Sequence, residues 1–574
     1  MGDDGGMGDV MYVHGGSPLR GAITVRGAKN FVSKAMVASL LGEGPSALRN
    51  VPQIRDVESV RNLLELHGGR VDWDARAGVV ALDPTDVESA HVADIDAHAG
   101  SSRIPILFCG PLLHRLGEAF IPDLGGCRIG DRPINYHLDI LRQFGAVVDK
   151  RESGIHITAP RRLQGTKLEL PYPSVGATEQ LLLTAVRAEG VTELSGAAIE
   201  PEIGDLINVL QKMGAIISVD TDRVIRIEGV DRLEGYRHTA LPDRIEAASW
   251  AAAALATGGD IDVRGAHQPE MTTFLNTFRK VGGGFEVRDD GIRFFHPGGD
   301  LRSIVLETDV HPGFMTDWQQ PLVVALTQAT GLSIVHETVY ENRFGFTDAL
   351  RGMGATIQVY RECLGGHPCR FGQRNFYHSA VISGPTPLAA SDIVVPDLRG
   401  GFSHLIAALA AKGTSAVKGI DLIDRGYEHF DDKRAARGAA FERSCGPGPH
   451  AVGPRPVAPA GARGPATGSI GSRAAAPALE PCLPRRGAHR AARALRVHAP
   501  AVVRRRAPAE GPRVHRRRQP RDGARPADDG ALPLRPRVRA ADPRQGLPVP
   551  RAGARPRPAR GRAGARLPRH EPCR

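Results

Sequence analysis

The 574-residue chain has no stretch of about 18 apolar residues, so a membrane-spanning helix is not expected. Its longest apolar candidate, Ala247 to Ala256, is too short and reads as a buried helix. The N-terminal run MGDDGGMGDV is acidic and lacks an apolar segment, so it is not expected to be a secretion signal, and Met7 or Met11 could equally be the start. Cysteine is scarce, with seven residues, an odd number that forms no paired framework. Cys363 and Cys369 share a segment, but their spacing matches no common metal motif. Reduced thiols in a cytoplasmic protein are the expectation. Neither a Walker pattern nor a metal-ligand cluster is visible, which argues against metal-dependent phosphoryl transfer. No metal and no cofactor is expected.

The net charge of +11 describes no part of the chain. Residues 431–574 hold 33 Lys+Arg against 10 Asp+Glu, while residues 1–430 hold 41 against 53. An acidic body thus carries a basic tail, and the total charge is no argument for a nucleic-acid partner. The tail is Arg, Pro, Ala and Gly, with Lys433, Ile470 and Phe441 each the sole representative of its type and no Tyr, Trp or Asn. Such a composition cannot bury enough apolar surface to offset chain entropy, so disorder is expected. The clusters Arg504–Arg506 and Arg516–Arg518 lack the interleaved aromatics that stack on bases. Out-of-frame translation of GC-rich coding sequence yields this composition and is the preferred reading.

The body contains a repeat. An amphipathic helix ends in glycine, then a strand, a turn and a second strand follow, as in LRQFGAVVDKRESGIHIT and LQKMGAIISVDTDRVIRIEG. The marker glycines are Gly68, Gly145, Gly214, Gly282 and Gly354. Glycine after a helix supplies a left-handed cap, and alternating residues begin a half-buried strand. A sixth instance falls near Gly438, where Arg437 occupies the apolar position, so the sixth unit reads as degraded. Six α/β units, three per domain, are expected.

Single charges stand in loops flanked by Gly or Pro, where function collects. Lys29 and Asn30 open an apolar helix, a position that favours anions, although a solvated lysine would look the same. Cys127 lies among three glycines with Arg128 and Arg132 close by, which suits a reactive thiol on a mobile loop; a surface turn is the alternative. Asp317 precedes an apolar run and reads equally as a base or a helix cap. Arg343 sits between aromatics, while Asp397-Leu398-Arg399 and Asp424-Arg425 adjoin glycine, where a salt-bridged turn would suffice. Together Lys29, Arg103, Arg132, Arg343, Arg399 and Arg425 suit a small polyanion with carboxylate and phosphates.

From about residue 15 to 430 the chain resembles the enolpyruvyl transferases, and among them the UDP-N-acetylglucosamine 1-carboxyvinyltransferases; enolpyruvylshikimate-phosphate synthase is another member. The motifs GAKN, GGCRIGDRP, SVGATE, EPEI, LPDRIE, HPGFMTD, ENRF, DLRGG and DRGYE appear in family order. The resemblance implies a two-domain α/β fold, an inside-out α/β barrel of six βαβαββ units, with the chain crossing between domains twice. On that basis residues 29–241 form a first lobe with a lid loop at 123–133. Residues 1–28 with 242–430 form the second, its sixth unit degraded near 431–445, and 446–574 are a disordered tail.

The resemblance also implies transfer of enolpyruvyl from phosphoenolpyruvate to the 3-hydroxyl of UDP-N-acetylglucosamine, the first committed step of peptidoglycan synthesis. Lys29, Arg132 and Arg425 would hold phosphoenolpyruvate, with Arg103 and Arg399 nearby. Asn30 would touch the sugar, Asp317 would be the base, and Cys127 would serve proton transfer or product release and react with fosfomycin. Ser174, Val175 and Gly176 would present backbone groups to the UDP, helped by His137. Arg343 would contact the sugar-nucleotide side, and Asp397 would be a further substrate contact. One departure is Tyr172-Pro173, where many relatives carry Lys before the SVGAT stretch. The rival readings are a paralogue acting on a uridine nucleotide in nucleoside-antibiotic synthesis, a non-catalytic pseudoenzyme, and a nucleic-acid binder resting on the tail alone.

Overall fold

A computed structural model describes residues 9–89, 103–122, 134–151, 154–366, 369–372, 374–428, 436–437 and 440–444. The 123–133 loop, with Cys127 and Arg132, and the tail from 446 lie outside the described residues.

All five marker glycines have positive φ, from 97° to 114°, the left-handed region that favours glycine at a helix end. Each precedes the expected antiparallel pair. The strands are Arg70–Asp74 with Val79–Asp83, Val147–Arg151 with Gly154–Thr158, and Ile216–Asp220 with Val224–Glu228. In the second lobe they are Gly284–Arg288 with Gly291–Phe295, and Thr356–Tyr360 with Ser379–Gly384. The last pair is split by an excursion through 361–378.

Two separate hydrophobic cores form. One gathers buried residues from Ala28 to Ala240, the other joins Met11–Val25 to residues from Ala247 to Phe441. The reason lies in six helices with few exposed positions. Lys29–Ala38, Pro105–Leu116 and Val175–Ala185 fill the first core. Arg244–Ala256, Thr316–Leu326 and Leu398–Ala410 fill the second and pack on one another. The apolar run around Ala247 is therefore a buried helix, as the sequence implies. Sheets and the amphipathic helices Arg55–Leu66, Asn135–Gln143, Pro201–Lys212 and Thr272–Val281 wrap around these bundles. Helices inside and sheets outside is the inverted α/β arrangement expected.

Each lobe carries three sheets among the described residues. The N-terminal strands belong to the second lobe: Arg20–Thr24 pairs in parallel with Asp260–Arg264, and Val10–Gly15 pairs antiparallel with Gly413–Lys418. The chain passes between lobes near Gly27 and again near Pro242, and the two crossings are bonded side by side. Ala28 N–H donates to Leu241 O and Asp243 N–H to Arg26 O, both at 2.8 Å. Of the sixth unit, Gly438 lies outside the described residues. Ala436–Arg437 nonetheless pairs with Arg20–Thr24, and Ala440–Ser444 pairs with Val10–Gly15 and buries Phe441.

Candidate active site

The six buried helices all present their N-terminal ends to one cavity of about 650 Å³. The helix dipole places partial positive charge at each end, which favours anions in the cavity, while Ser174, Asp243 and Asp397 cap N–H groups at three of the six ends. Lys29, Asn30, Arg103, His137, Ser174, Val175, Gly176, Asp317, Arg343, Arg399 and Arg425 all line it. Residues scattered across both lobes thus share one cleft.

Two carboxylates organise the cations. Asp56, in the first turn of Arg55–Leu66, is salt-bridged to Lys29 Nζ and lies 3.4 Å from Arg425 Nε. Burial pushes the Asp56 carboxyl up, but Lys29 and Arg425 outweigh it and hold it below the usual carboxylate range. Burial also pulls the Lys29 ammonium below the ordinary lysine value, against the opposing pull of Asp56. Asp317 accepts from Arg343 Nη2 at 2.5 Å and faces Arg399 Nε at 3.4 Å. Arg343 is buried with its guanidinium over the Tyr340 ring, and Arg399 donates to the Tyr427 hydroxyl at 2.9 Å. Burial works against the charge of Arg399, yet Tyr427, Asp317 and Asp243 outweigh it and hold the guanidinium above its ordinary value.

The alternative readings of these residues separate cleanly. Asp317 is the second residue of Thr316–Leu326, behind an N-cap at Met315, so it is not a helix cap. Asp397 is one: its Oδ1 accepts from Arg399 N at 2.9 Å and Gly400 N at 3.0 Å, and it does not line the cavity. Arg343, expected on the sugar-nucleotide side, lines the cavity and is paired with Asp317.

Further cleft residues carried no individual sequence assignment. Arg244, within LPDRIE, makes a two-pronged pair with Glu202 at 3.0 Å and joins the lobes through a dry contact. Glu179, within SVGATE, is pushed up to about 7 by burial, opposed by Lys34 at 3.5 Å. Arg370 comes from the 361–378 excursion, places its guanidinium 4.4 Å from the Tyr172 ring centroid, and donates to Val339 O. The cation missing before Ser174 in sequence is matched by this one in space. At the same end, a Cβ on Gly176 would stand 3.1 Å from His137 Nε2, so glycine lets that ring approach the helix.

The expected absence of a metal-ligand cluster needs correction. His336, Cys363, Cys369 and His378 bring one ligand atom each to within 4.8 Å of one another. The histidines sit on adjacent paired strands, Ala329–His336 and Ser379–Gly384 with its preceding residue, so no sequence spacing announces the group. Among the described residues, no helix is long and apolar enough to cross a membrane.

Residues 13–433 match the family model of EPSP synthase (3-phosphoshikimate 1-carboxyvinyltransferase). The chain belongs to the EPSP synthase family. A family member from Protochlamydia amoebophila (strain UWE25), the UDP-N-acetylglucosamine 1-carboxyvinyltransferase, is 50% identical over 436 residues, 75% of this chain and 93% of the relative. The protein of that name from Chlamydia pneumoniae is 45% identical over 435 residues, 75% and 94% of the two chains. Among solved structures, the enolpyruvyl transferase NikO from Streptomyces tendae is similar with a TM-score of 0.68 at 22% identity, covering 77% of this chain and 100% of that one. EPSP synthase from Acinetobacter baumannii is similar with a TM-score of 0.58 at 18% identity, covering 75% and 99%. At those identities the two structures speak for the EPSP synthase fold alone.

Proposed function

We propose that the chain transfers the enolpyruvyl group of phosphoenolpyruvate to the 3-hydroxyl of UDP-N-acetylglucosamine and releases phosphate. The observation that carries this reading is the ring of cations, drawn from both lobes and backed by six helix ends, around a cleft in which Asp317 is held between Arg343 and Arg399. Such a ring suits a substrate pair rich in phosphate and carboxylate. Lys29 and Arg425, shared by Asp56, hold phosphoenolpyruvate, with Arg103 and Arg399 close by; Arg132 joins them from the loop outside the described residues. Asn30 meets the sugar. Ser174, Val175, Gly176, His137 and Arg370 face the nucleotide.

The reaction then runs by charge. Protonation at the methylene carbon of phosphoenolpyruvate leaves its central carbon cation-like. The sugar oxygen bonds to that carbon while its proton passes to Asp317. The tetrahedral adduct next loses phosphate from the central carbon and a proton from the new methyl, which restores the double bond. Fixed guanidinium groups stabilise the phosphate and carboxylate throughout, more strongly as the lobes shed water. Closure of residues 29–241 on 1–28 with 242–430, with Cys127 on the lid, completes the site. A cytoplasmic enzyme of cell-wall synthesis, needed for cell shape and division, follows from this activity.

Phosphate release from phosphoenolpyruvate tests the reading. UDP-N-acetylglucosamine is expected to drive it, while a uridine nucleotide without the acetylglucosamine gives little. The reverse preference would favour the nucleoside-antibiotic paralogue, and no release with either would mark a pseudoenzyme. The 50% and 45% identity to the UDP-N-acetylglucosamine 1-carboxyvinyltransferases of Protochlamydia amoebophila and Chlamydia pneumoniae, against 22% to NikO, supports the first outcome. Fosfomycin is expected to inactivate the enzyme through Cys127; full activity after prolonged treatment would refute a reactive thiol there.

A further inference from the structure

We propose that His336, Cys363, Cys369 and His378 form a closed tetrahedral site for one zinc ion, which pins the 361–378 excursion against the cleft. Two thiolates and two neutral imidazoles are a common structural zinc set, and their combined charge cancels that of the ion. Zinc at its usual bond lengths sets neighbouring ligand atoms about 3.3–3.8 Å apart. Cys363 Sγ lies 3.3 Å from both Cys369 Sγ and His378 Nε2, and the whole set falls within 4.8 Å.

The protonation pattern of the histidines points the same way. His378 Nδ1 lies 2.8 Å from Phe376 O, a carbonyl that can only accept, so Nδ1 carries the proton and Nε2 offers its lone pair toward Cys363. Ser379 Oγ donates its one proton to Glu362 O at 2.7 Å and must therefore accept from His336 Nδ1 at 2.8 Å. That leaves the lone pair on His336 Nε2, an atom buried without any hydrogen-bond partner on a side chain closed to solvent. An orphaned buried acceptor is costly unless something binds it. Imidazoles oriented by a hydroxyl and a carbonyl are also what metal-binding histidines use.

The backbone is shaped to the same end. A Cβ at Gly365 would come within 2.4 Å of His336 Cδ2, and one at Gly372 within 3.2 Å of Cys363 Sγ. Glycine at both positions lets the chain fold onto the ligands. Gly366 N–H is tied to Glu307 Oε1 at 2.5 Å. Arg370 follows Cys369 directly, so the ion would fix the residue that stacks on Tyr172 at the nucleotide end.

Metal analysis of the full chain, purified without chelator, is expected to give one zinc per chain. Cobalt in its place is expected to give visible bands of a tetrahedral, thiolate-bound ion. The double variant Cys363→Ser/Cys369→Ser should lose both signals. Because that variant can misfold, Ser379→Ala provides a milder check and should weaken zinc binding by about 10–100-fold. Reduced wild-type protein that takes up neither metal would overturn the site. So would an intact mass showing only a Cys363–Cys369 disulfide, two hydrogens lighter and metal-free. The link to Arg370 rests on the proposed function: removing zinc should raise KM for UDP-N-acetylglucosamine with little change in kcat. Unchanged KM after complete zinc loss would refute that link and leave the metal result standing.

Discussion

Replacing Asp317 by asparagine tests the centre of the scheme. The change keeps the size of the side chain but removes one negative charge from between Arg343 at 2.5 Å and Arg399 at 3.4 Å. The two arginine side chains are only 1% and 5% exposed, so water cannot replace the lost partner. Breaking a buried ion pair from one side costs about 3–5 kcal/mol. Glu337 and Asp397 still act on Arg343, and Asp243 and Tyr427 on Arg399, which places the loss at the lower end, about 3 kcal/mol. Turnover should fall separately by at least about 10²-fold, near 2.7 kcal/mol of barrier, because the hydroxyl proton loses its acceptor. Urea unfolding measures the first effect, and phosphate release by the folded variant without denaturant measures the second. Wild-type turnover would remove Asp317 as base. Lost turnover with unaltered stability would show instead that the arginines do not depend on it.

Glu202→Gln should cost about 3–5 kcal/mol in urea unfolding by stranding Arg244, and adding Arg244→Met should recover most of that loss; a double variant no better than the single would refute the argument. Glu179 has a folded pKa raised from 4.5 to about 7, so the fold favours its neutral form. The stability this confers is present below the unfolded value and is lost as pH rises through about 7, some 3 kcal/mol in all. Glu179→Gln should therefore gain on wild type between about pH 5 and 8, and parallel stability curves would falsify the assignment. Arg370→Ala should raise KM for UDP-N-acetylglucosamine about tenfold or more, with kcat nearly unchanged, as fits a lost charged contact; an unaltered KM would remove Arg370 from the nucleotide end.

The repeat was legible because its signals are local. A glycine behind an amphipathic helix and an alternating strand depend on neighbours a few residues away, and all five glycines have the backbone those signals imply. Lys29, Asp317, Arg399 and Arg425 were legible because they stand at helix ends or beside glycine, where a charge has no ordinary surface role. Asp56 was not, since a carboxylate in the first turn of an amphipathic helix looks like routine dipole compensation. Asp397 misled for the converse reason: an Asp ahead of a buried helix fits a binding residue and a cap equally, and here it caps. Arg370 and the Cys-His cluster were hidden because their positions follow from a strand register that pairs His336 with Ser379 across the sheet. No window along the chain contains that pairing.

The paired crossings at Gly27 and Pro242 also set how the lobes can move. A single connecting strand would let two bodies swivel in any direction. Here the two crossings are tied to each other by a bridge between Gly27 and Pro242 and its two backbone hydrogen bonds, a link that resists swivelling more than a single connection would. The lobe closure proposed above would bend this link and bring the same side chains of the two lobes together each time.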